Sequence, residues 1–395
     1  MRTIVIGAGV LGASAAYHLA RAGAQVTVID ACLDGRATAA GAGIICPWVS
    51  GADDPVFYRL YTEGARYYAD LVPALAEAGQ HDLGFRRTGA MVVSADPSDL
   101  GFIERLARER QAAAPEMGAI SRLTQREAQS LFPPLRAELG AVHVAGGARV
   151  DGRRLAAALV RAAQHHGAEV RGADVREAEA RGADGRDGAA ALIASGDRVE
   201  GVVLGGERLA ADRVIVAAGV WAPALLRPLG LELPIRPQRG QIVHLRVAGQ
   251  QTRDWPVILP PGSHYLLAFD DQRVVAGATR EPGAGFDCRV TAAGLAEVLA
   301  NALEVAPGLA EAEVIETRVG FRPVGPEVRP LLGAARSVAG LIIGNGLAAA
   351  GLTIGPLAGR LLADVALGRA PALDLAPFDP LRVTAPGQRA MPALP

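Results

Sequence analysis

Three glycines near the N-terminus have the spacing of a nucleotide-binding turn. The stretch TIVIGAGVLG places Gly7, Gly9 and Gly12 as G-x-G-x-x-G, directly after a strand-like run and at the start of a helical pattern. The first glycine permits a tight turn, the second lets the backbone approach a pyrophosphate, and the third lets helix and strand pack closely. Free N–H groups at the helix start, where Val10 and Leu11 stand, attract phosphates. The motif therefore predicts a bound dinucleotide.

An acidic residue at the end of the second predicted strand completes this pattern. Asp30 stands 18 residues beyond Gly12, where a carboxylate accepts hydrogen bonds from a ribose hydroxyl. The pattern does not by itself distinguish NAD from FAD. It occurs once in the chain, which argues against two Rossmann-bound nucleotides.

A stiff segment far along the chain contains an arginine that needs an anionic partner. GFRPVGPEVRPLLG, from Gly320 to Gly333, places Arg322 between a phenylalanine and a proline. A guanidinium on a rigid backbone beside a core suits a carboxylate or phosphate, since its planar fork donates two hydrogen bonds. The partner is either a bound ligand or an internal group such as Glu327 or a backbone carbonyl.

Composition excludes several classes of function. The 395 residues include 40 basic and 41 acidic ones, net charge -1, without a basic stripe that would predict nucleic acid binding. Cys32, Cys46 and Cys288 are far apart and form no C-x-x-C pair, which argues against disulfides, a metal site or an iron–sulfur cluster. Two long apolar stretches, one at the N-terminus and one at Val338–Gly359, could be mistaken for membrane segments, but glycines interrupt both. We therefore expect no signal peptide and no transmembrane segment. We expect a cytoplasmic protein, with peripheral attachment to the inner membrane left open.

The order of predicted elements indicates a divided α/β protein. βα units occur at the start, near residues 212–221 and near residues 341–368, and antiparallel strands and further helices lie between them. We predict a discontinuous, Rossmann-like nucleotide domain with an inserted antiparallel-sheet substrate domain. The first comprises residues 1–52, 140–222 and 318–372, the second residues 53–139 and 223–317, and residues 373–395 form an irregular tail.

Taken together, the motifs resemble the D-amino-acid oxidase superfamily of FAD-dependent amine oxidoreductases, which includes D-amino-acid oxidases and dehydrogenases, glycine oxidase and sarcosine oxidase. The resemblance runs nearly end to end. Besides the glycine motif it rests on GRATAAGAGIICPW, ADRVIVAAGVWAPAL, RGQIVHL, YLLAF, VVAGATRE, GFRPVGPEVRPLLG and GNGLAAAGLTIGPLAG. Each piece alone is loose, but all of them in one order are specific. The resemblance implies that the dinucleotide is FAD.

The resemblance also implies a set of cofactor contacts. They lie along the phosphates and flavin at Thr38, Gly43 and Ile44, at the adenine at Val175, on a second βα turn at Ala218 and Gly219, and at the flavin pyrimidine at Gly346, Gly351, Leu352 and Thr353. A helix that begins near Leu352 would direct its positive end at the flavin N1/O2 edge and stabilise negative charge there.

In the same family an arginine in G-x-R-P grips the substrate carboxylate, which implies this role for Arg322. Tyr265, in SHYLLAF, matches a tyrosine whose hydroxyl helps to hold that carboxylate, although a core tyrosine would fit the same pattern. His264 alternates to the opposite face and is not expected to act in catalysis. The roles of His244, Arg280, Arg329 and Trp48 stay open between pocket and structure.

The resemblance implies FAD-dependent oxidative deamination of a D-amino acid or small amino acid to an imino acid, which hydrolyses to a 2-oxo acid and ammonia. Oxidation of glycine, sarcosine or another secondary amine is the alternative enzyme reaction, and a flavin-binding subunit of a multi-chain dehydrogenase is the alternative class. Residues 318–335 contain no cysteine, so we expect non-covalent FAD. Oxygen or a quinone-type acceptor takes the electrons.

Overall fold

A six-stranded sheet carries the glycine motif in the computed structural model, which describes residues 1–172 and 190–382. The strand order is β20-β21-β13-β1-β2-β9, and every neighbouring pair is parallel except β20 with β21. The strands are β1 (Arg2–Ile6), β2 (Gln25–Asp30), β9 (Glu169–Gly172), β13 (Arg213–Val216), β20 (Leu331–Ala334) and β21 (Leu341–Asn345). The parallel strands end at one edge, which is where α/β sheets bind ligands.

Three helices cover this sheet because their small residues permit close approach. They are α1 (Val10–Arg21), α6 (Gly152–His165) and α9 (Gly351–Ala366). A Cβ built at Gly359 would lie 2.4 Å from the Leu11 carbonyl oxygen, so α9 packs against α1 with backbone nearly touching backbone. The hydroxyl of Ser14 donates a hydrogen bond to the Pro356 carbonyl at 2.6 Å. This contact fixes the N-terminal ends of both helices side by side.

A nine-stranded, mixed sheet forms the second large layer. Its order is β18-β14-β17-β16-β15-β5-β7-β6, and β19 pairs with β14. The strands are β5 (Ala90–Ser94), β6 (Ile120–Leu123), β7 (Gly140–Val144), β14 (Arg236–Arg246), β15 (Val257–Leu259), β16 (Tyr265–Ala268), β17 (Arg273–Gly277), β18 (Glu281–Pro282) and β19 (Glu313–Val324). Most pairs are antiparallel, but β15 and β5 are parallel, which the alternating pattern alone did not predict.

Strand β19 brings the two sheets together. It pairs with β14 along almost its whole length, with Gly320 opposite Gly240 and Arg322 opposite Gln238. Its other side lies against the short helix α2 (Ala37–Ala40), and a Cβ at Gly320 would lie 2.6 Å from the Ala40 Cβ. The strand that carries Arg322 therefore also contacts the segment predicted to bind the cofactor.

The remaining elements are smaller. The helices are α3 (Pro55–Glu77), α4 (Pro97–Gln111), α5 (Gln125–Leu131), α7 (Ala222–Leu226) and α8 (Ala292–Val305). One three-stranded sheet contains β10 (Ala191–Ser195), β11 (Arg198–Leu204) and β12 (Glu207–Ala210), and the other contains β3 (Ile44–Ile45), β4 (Arg86–Arg87) and β8 (Ala148–Arg149). Over the described ranges, no helix combines the length and apolar character needed to cross a bilayer.

The predicted α/β class with a Rossmann-like sheet and a second, largely antiparallel sheet is confirmed. The β10–β12 sheet corresponds to the predicted antiparallel meander, although part of that stretch lies outside the described residues. The proposed domain boundaries stay a prediction.

Candidate active site

One cavity of about 1010 Å³ joins the glycine turn after β1 to Arg322 on β19. Its volume is at the upper end of the range for small-molecule sites, as expected where a cofactor and a substrate share one space. The predicted site residues that line it are Gly7, Gly9, Val10, Leu11, Asp30, Thr38, Gly43, Ile44, Ala218, Gly219, Tyr265, Arg322, Gly351 and Leu352. Gly12, Gly346 and Thr353 lie close behind this wall, and Val175 lies outside the described residues.

The turn between β1 and α1 has little room for side chains. A Cβ at Gly9 would lie 3.2 Å from the Thr38 Oγ1, and a Cβ at Gly12 would lie 1.9 Å from the Gly7 carbonyl oxygen. The Val10 N–H donates to the Thr38 Oγ1 at 3.0 Å. The helix N-terminus is therefore open to the cavity, with backbone donors and a hydroxyl at its edge, and this arrangement fits a pyrophosphate.

Asp30 stands at the carboxyl end of β2, where it faces the same turn. Its carboxylate accepts hydrogen bonds from the backbone N–H groups of Ala8 and Cys32, the latter at 2.7 Å. The guanidinium of Arg36 lies 3.8 Å from it. These contacts fix the carboxylate at the cavity wall, and its remaining lone pairs can accept hydrogen bonds from a ribose hydroxyl.

An asparagine that the sequence reasoning missed connects two of the predicted turns. Asn345 is buried, and its amide donates to the Gly219 carbonyl at 2.8 Å while its oxygen accepts from the Gly346 N–H at 2.8 Å. It thereby fixes the turn after β13 to the turn after β21. The signal was present in GLIIGNG, where a polar amide between two glycines ends an apolar strand.

The start of α9 faces the cavity through Gly351 and Leu352. Thr353 is buried beneath them, and its hydroxyl donates to the Ile44 carbonyl at 3.1 Å. The Tyr68 hydroxyl donates to the Leu352 carbonyl. The positive end of a sixteen-residue helix is thus held towards the cavity, as the predicted contact with the flavin pyrimidine requires.

Arg322 lies over a glycine and lines the cavity. Its Nη1 donates to the Thr279 carbonyl at 3.0 Å. A Cβ at Gly240 would lie 2.5 Å from the same nitrogen, so only glycine leaves room for the guanidinium. Of the two internal partners considered from sequence, a backbone carbonyl is present at Thr279, whereas Glu327 is bound to Arg382 at 2.5 Å. Among the described residues, Arg322 has no carboxylate partner.

Tyr265 and Arg280 lie beside Arg322. Tyr265 and Arg322 line the same part of the cavity, and a Cβ at Gly277 would lie 2.6 Å from the Tyr265 hydroxyl. Burial raises the pKa of the Tyr265 hydroxyl, which therefore stays protonated and can donate. Desolvation by the cavity wall, and then repulsion from Arg322, lower the pKa of Arg280. Two guanidiniums thus face one space, and in the described part of the chain neither is neutralised by a carboxylate.

The other residues whose roles were open, Arg329, Trp48 and His244, do not line the cavity. Arg329 pairs with Asp54 at 2.7 Å, and Trp48 is buried away from the cavity wall. His244 is buried against Arg273 at 3.2 Å, and burial, followed by repulsion from Arg318 and Arg273, lowers its pKa to about 3. His264, which was expected to alternate to the opposite face, instead also lines the cavity, and its Nε2 lies 3.8 Å from Glu297 on α8.

Comparisons with known proteins show which families of enzyme this chain resembles over its whole length. A family profile described as "DAO: FAD dependent oxidoreductase" matches residues 2–365. The chain is 47% identical to the uncharacterised oxidoreductase YurR of Bacillus subtilis, over 95% of this chain and 98% of that protein. It is 32% identical to a glycine oxidase of Pseudomonas aeruginosa, over 96% and 98%. The crystal structure of iminodiacetate oxidase from Chelativorans sp. BNC1 superposes with a TM-score of 0.90 at 51% identity, over 96% and 99%.

Proposed function

This chain belongs to the DAO family of FAD-dependent oxidoreductases, and from that premise we propose that it oxidises small secondary amines that carry two carboxylates, with iminodiacetate as the type substrate. The cofactor is FAD, and the reaction class is oxidation of an amino acid or secondary amine. The observation that carries the narrower proposal is the second arginine, Arg280, which faces the same space as Arg322.

The charge of the cavity supports a doubly negative substrate. The sequence contains no lysine, so every permanent side-chain cation is an arginine. Arg36, Arg280 and Arg322 line the cavity, and Arg36 lies beside Asp30 at the cofactor end. Two like charges close together repel each other, and a bound anion at each would remove that repulsion. A substrate with a single carboxylate would leave one of them without a partner.

The residues of the chain would act mainly by orientation. Arg322 and Tyr265 would bind one carboxylate, and Arg280 would bind the other, which fixes the Cα–H bond between them. When bound, FAD supplies the two-electron acceptor for the hydride of that bond. The substrate nitrogen loses its proton and forms a C=N bond. Water then adds to this imine and the C–N bond breaks, which yields a 2-oxo acid and a primary amino acid.

The Tyr265 hydroxyl remains a donor throughout, because burial raises its pKa. The cavity wall includes His264, whose pKa is lowered mainly by burial, so that it is a weak base. The neutral amine therefore provides the electron pair that drives hydride loss, and the protein contributes binding and geometry.

A substrate comparison tests the proposal. Initial rates are measured for iminodiacetate, N-methylglycine, glycine and D-alanine, with oxygen and with a dye acceptor. An additional charged hydrogen bond contributes about 1.5–3 kcal/mol, so kcat/KM for iminodiacetate should exceed that for N-methylglycine by roughly 10- to 150-fold. Equal values for these two secondary amines would contradict the second carboxylate site.

Arg280→Met provides the matched variant. It should remove the preference for iminodiacetate and leave N-methylglycine oxidation within about threefold, since only the second carboxylate loses its partner. Arg289→Met is the control, because its side chain is 84% exposed, pairs with Asp287 and does not line the cavity. If Arg280→Met slows both amines equally while Arg289→Met has no effect, Arg280 acts on the reaction in some other way.

Oxidation of a primary amino acid is the second candidate function. It is favoured by the 32% identity to a glycine oxidase and by Arg322 and Tyr265, which require only one carboxylate. D-Alanine or glycine as the best substrate in the same comparison would establish it.

A further inference from the structure

An aromatic cluster borders the cavity at its boundary with solvent. Trp221, Phe286 and Phe321 all line the cavity, and their ring centroids lie 5.7 to 6.3 Å apart. Phe321 is buried and immediately precedes Arg322, whereas Phe286 is 54% exposed. A phenylalanine that touches both solvent and the cavity lies at the cavity entrance.

The segment that carries Phe286 is fixed at both ends. The buried Arg239 binds Glu281 at 2.6 Å and Asp287 at 2.9 Å, so one guanidinium holds the beginning and the end of residues 281–287. Arg239 directly precedes Gly240, which lies beneath the Arg322 guanidinium. The position of Phe286 is therefore set by the same strand, β14, that makes room for Arg322.

Between these fixed ends, two glycines shape the tip of the segment. Gly283 and Gly285 have φ of +82° and +60°, and a Cβ at either position would meet nothing within 4 Å. Glycine is thus required there for the left-handed backbone and not for close packing. The resulting turn places the Phe286 ring edge-on against Phe321 at 5.7 Å and beside Trp221 at 6.0 Å.

The fold does not need this phenylalanine. Its aromatic neighbours, Trp221 and Phe321, both line the cavity, and more than half of its own surface is exposed. Large exposed apolar side chains in such a position serve binding more often than stability. Arg280 directly precedes this segment and lines the same cavity as Phe286, so a group bound at Arg280 shares its space with the Phe286 ring.

We propose that Phe286, supported by Trp221 and Phe321, is a specificity-determining residue that limits the size of the substituent on the substrate nitrogen. This inference rests on the proposed use of the cavity for amine oxidation, but not on the proposed site for a second substrate carboxylate at Arg280. A short N-carboxymethyl or N-methyl group fits beneath the ring, and a longer or branched N-substituent contacts it. The aromatic surface also shields the reacting bond from bulk water.

A size series tests this role. N-methyl-, N-ethyl-, N-butyl- and N-benzylglycine carry one carboxylate each and differ only in the nitrogen substituent. Wild-type kcat/KM should fall along the series. Because a misfit of one methylene changes selectivity by about 10- to 200-fold, Phe286→Ala should raise the ratio of kcat/KM for N-benzylglycine to that for N-methylglycine by at least roughly tenfold. Phe286→Leu should lie between the two.

Phe102→Ala is the matched control. Phe102 is 48% exposed, similar to Phe286, but lies on α4 and does not line the cavity. Both variants should unfold within about 2 °C of the wild type, because exposed side chains contribute little to stability. Selectivity ratios that change equally in the two variants, or not at all in Phe286→Ala, would refute the proposal.

A measurement without turnover covers the case in which none of these amines is oxidised. Non-oxidisable carboxylates, acetate and phenylacetate, are titrated against the FAD holoenzyme and followed by flavin absorbance. Phe286→Ala should tighten phenylacetate binding by at least roughly fivefold relative to acetate. Unchanged relative affinity would refute the size limit, and a variant that only loses FAD would refute it as well by assigning Phe286 to the cofactor. If the wild type does not prefer iminodiacetate over N-methylglycine but Phe286→Ala still changes the selectivity for large nitrogen substituents, only the second carboxylate site is refuted.

Discussion

At the cofactor end of the cavity, the wall consists mainly of backbone N–H groups, glycines and the short side chains of Thr38 and Asp30, with Arg36 beside Asp30. At the substrate end they are long side chains, Arg322, Tyr265 and Arg280, contributed by or adjoining three different strands. The first end is built from backbone geometry, and the second from side-chain placement over Gly240 and Gly277.

This difference has an energetic consequence. Backbone donors at the start of a helix cannot be removed by a single side-chain substitution, so the cofactor end should tolerate individual losses. A guanidinium that binds a desolvated carboxylate is one removable group, and its loss leaves a charge without a partner. The largest effects of substitution should therefore lie at the substrate end.

Arg322→Ala is expected to have the largest effect. Loss of a partner for a buried charge corresponds to about 3–5 kcal/mol, so kcat/KM for amino-acid substrates should fall by roughly two to four orders of magnitude. FAD content and the fold should be unchanged. Arg322→Lys should recover little activity, because a point charge cannot reproduce the two-pronged contact that orients the substrate. Steady-state kinetics on FAD-saturated protein measure this.

An exposed arginine outside the cavity and an amine without a carboxylate serve as controls. Arg246, at the other end of β14, is half exposed and pairs with Glu313, and its substitution by alanine should leave kcat/KM within about twofold. An amine without a carboxylate should be a poor substrate that loses little rate in Arg322→Ala. If amino acids and the simple amine lose rate equally in Arg322→Ala, Arg322 is structural. The proposed difference between the cofactor end and the substrate end of the cavity would then be wrong.

Asp30→Ala should have a smaller effect, and on a different quantity. Loss of one charged acceptor weakens binding by about 1.5–3 kcal/mol, so the Kd for FAD should rise by roughly 10- to 150-fold, whereas kcat at saturating FAD should change little. Fluorescence titration of the apoprotein measures the affinity. Asp212→Ala is the control, because its carboxylate accepts from the Arg2 N–H at 2.8 Å away from the cavity. An unchanged Kd would make Asp30 only a ligand of the Ala8 and Cys32 amides.

The sequence predicted the cofactor end well because its groups follow one another along the chain. The glycine spacing, the strand before it and the acid after the second strand are local features, and the structure places them at one turn. The amide of Asn345 was missed because it connects two turns that are far apart in the chain.

The substrate end was predicted only in part. Arg322 and Tyr265 were identified through the family resemblance, but the role of Arg280 depends on strand pairing that brings residues 280 and 322 to one space. Likewise, the partner of Arg329 is Asp54, 275 residues away along the chain. Such long-range pairs have no periodic signal in a single sequence, so Arg280 and Arg329 looked equivalent until the structure separated them.

The smallest expected effect concerns the three cysteines, all of which line the cavity. Burial raises the pKa of the Cys46 thiol to about 12, so at pH 8 only about one molecule in 10⁴ carries the reactive thiolate, and Cys46 should resist iodoacetamide until the protein unfolds. Cys32, at the cofactor end, and Cys288, just after Phe286, are exposed and should react.

Ligands should then protect these two thiols separately. FAD should slow alkylation of Cys32 by about two- to fivefold and acetate should slow that of Cys288 by a similar factor, because each ligand shields only the thiol at its own end. Burial, and then the Asp30 carboxylate, raise the pKa of Cys32, so its rate should still increase from pH 7 to pH 9, as peptide mass spectrometry can follow. Equal protection of both thiols by FAD alone would mean that the cofactor closes the whole cavity and that its two ends do not bind independently.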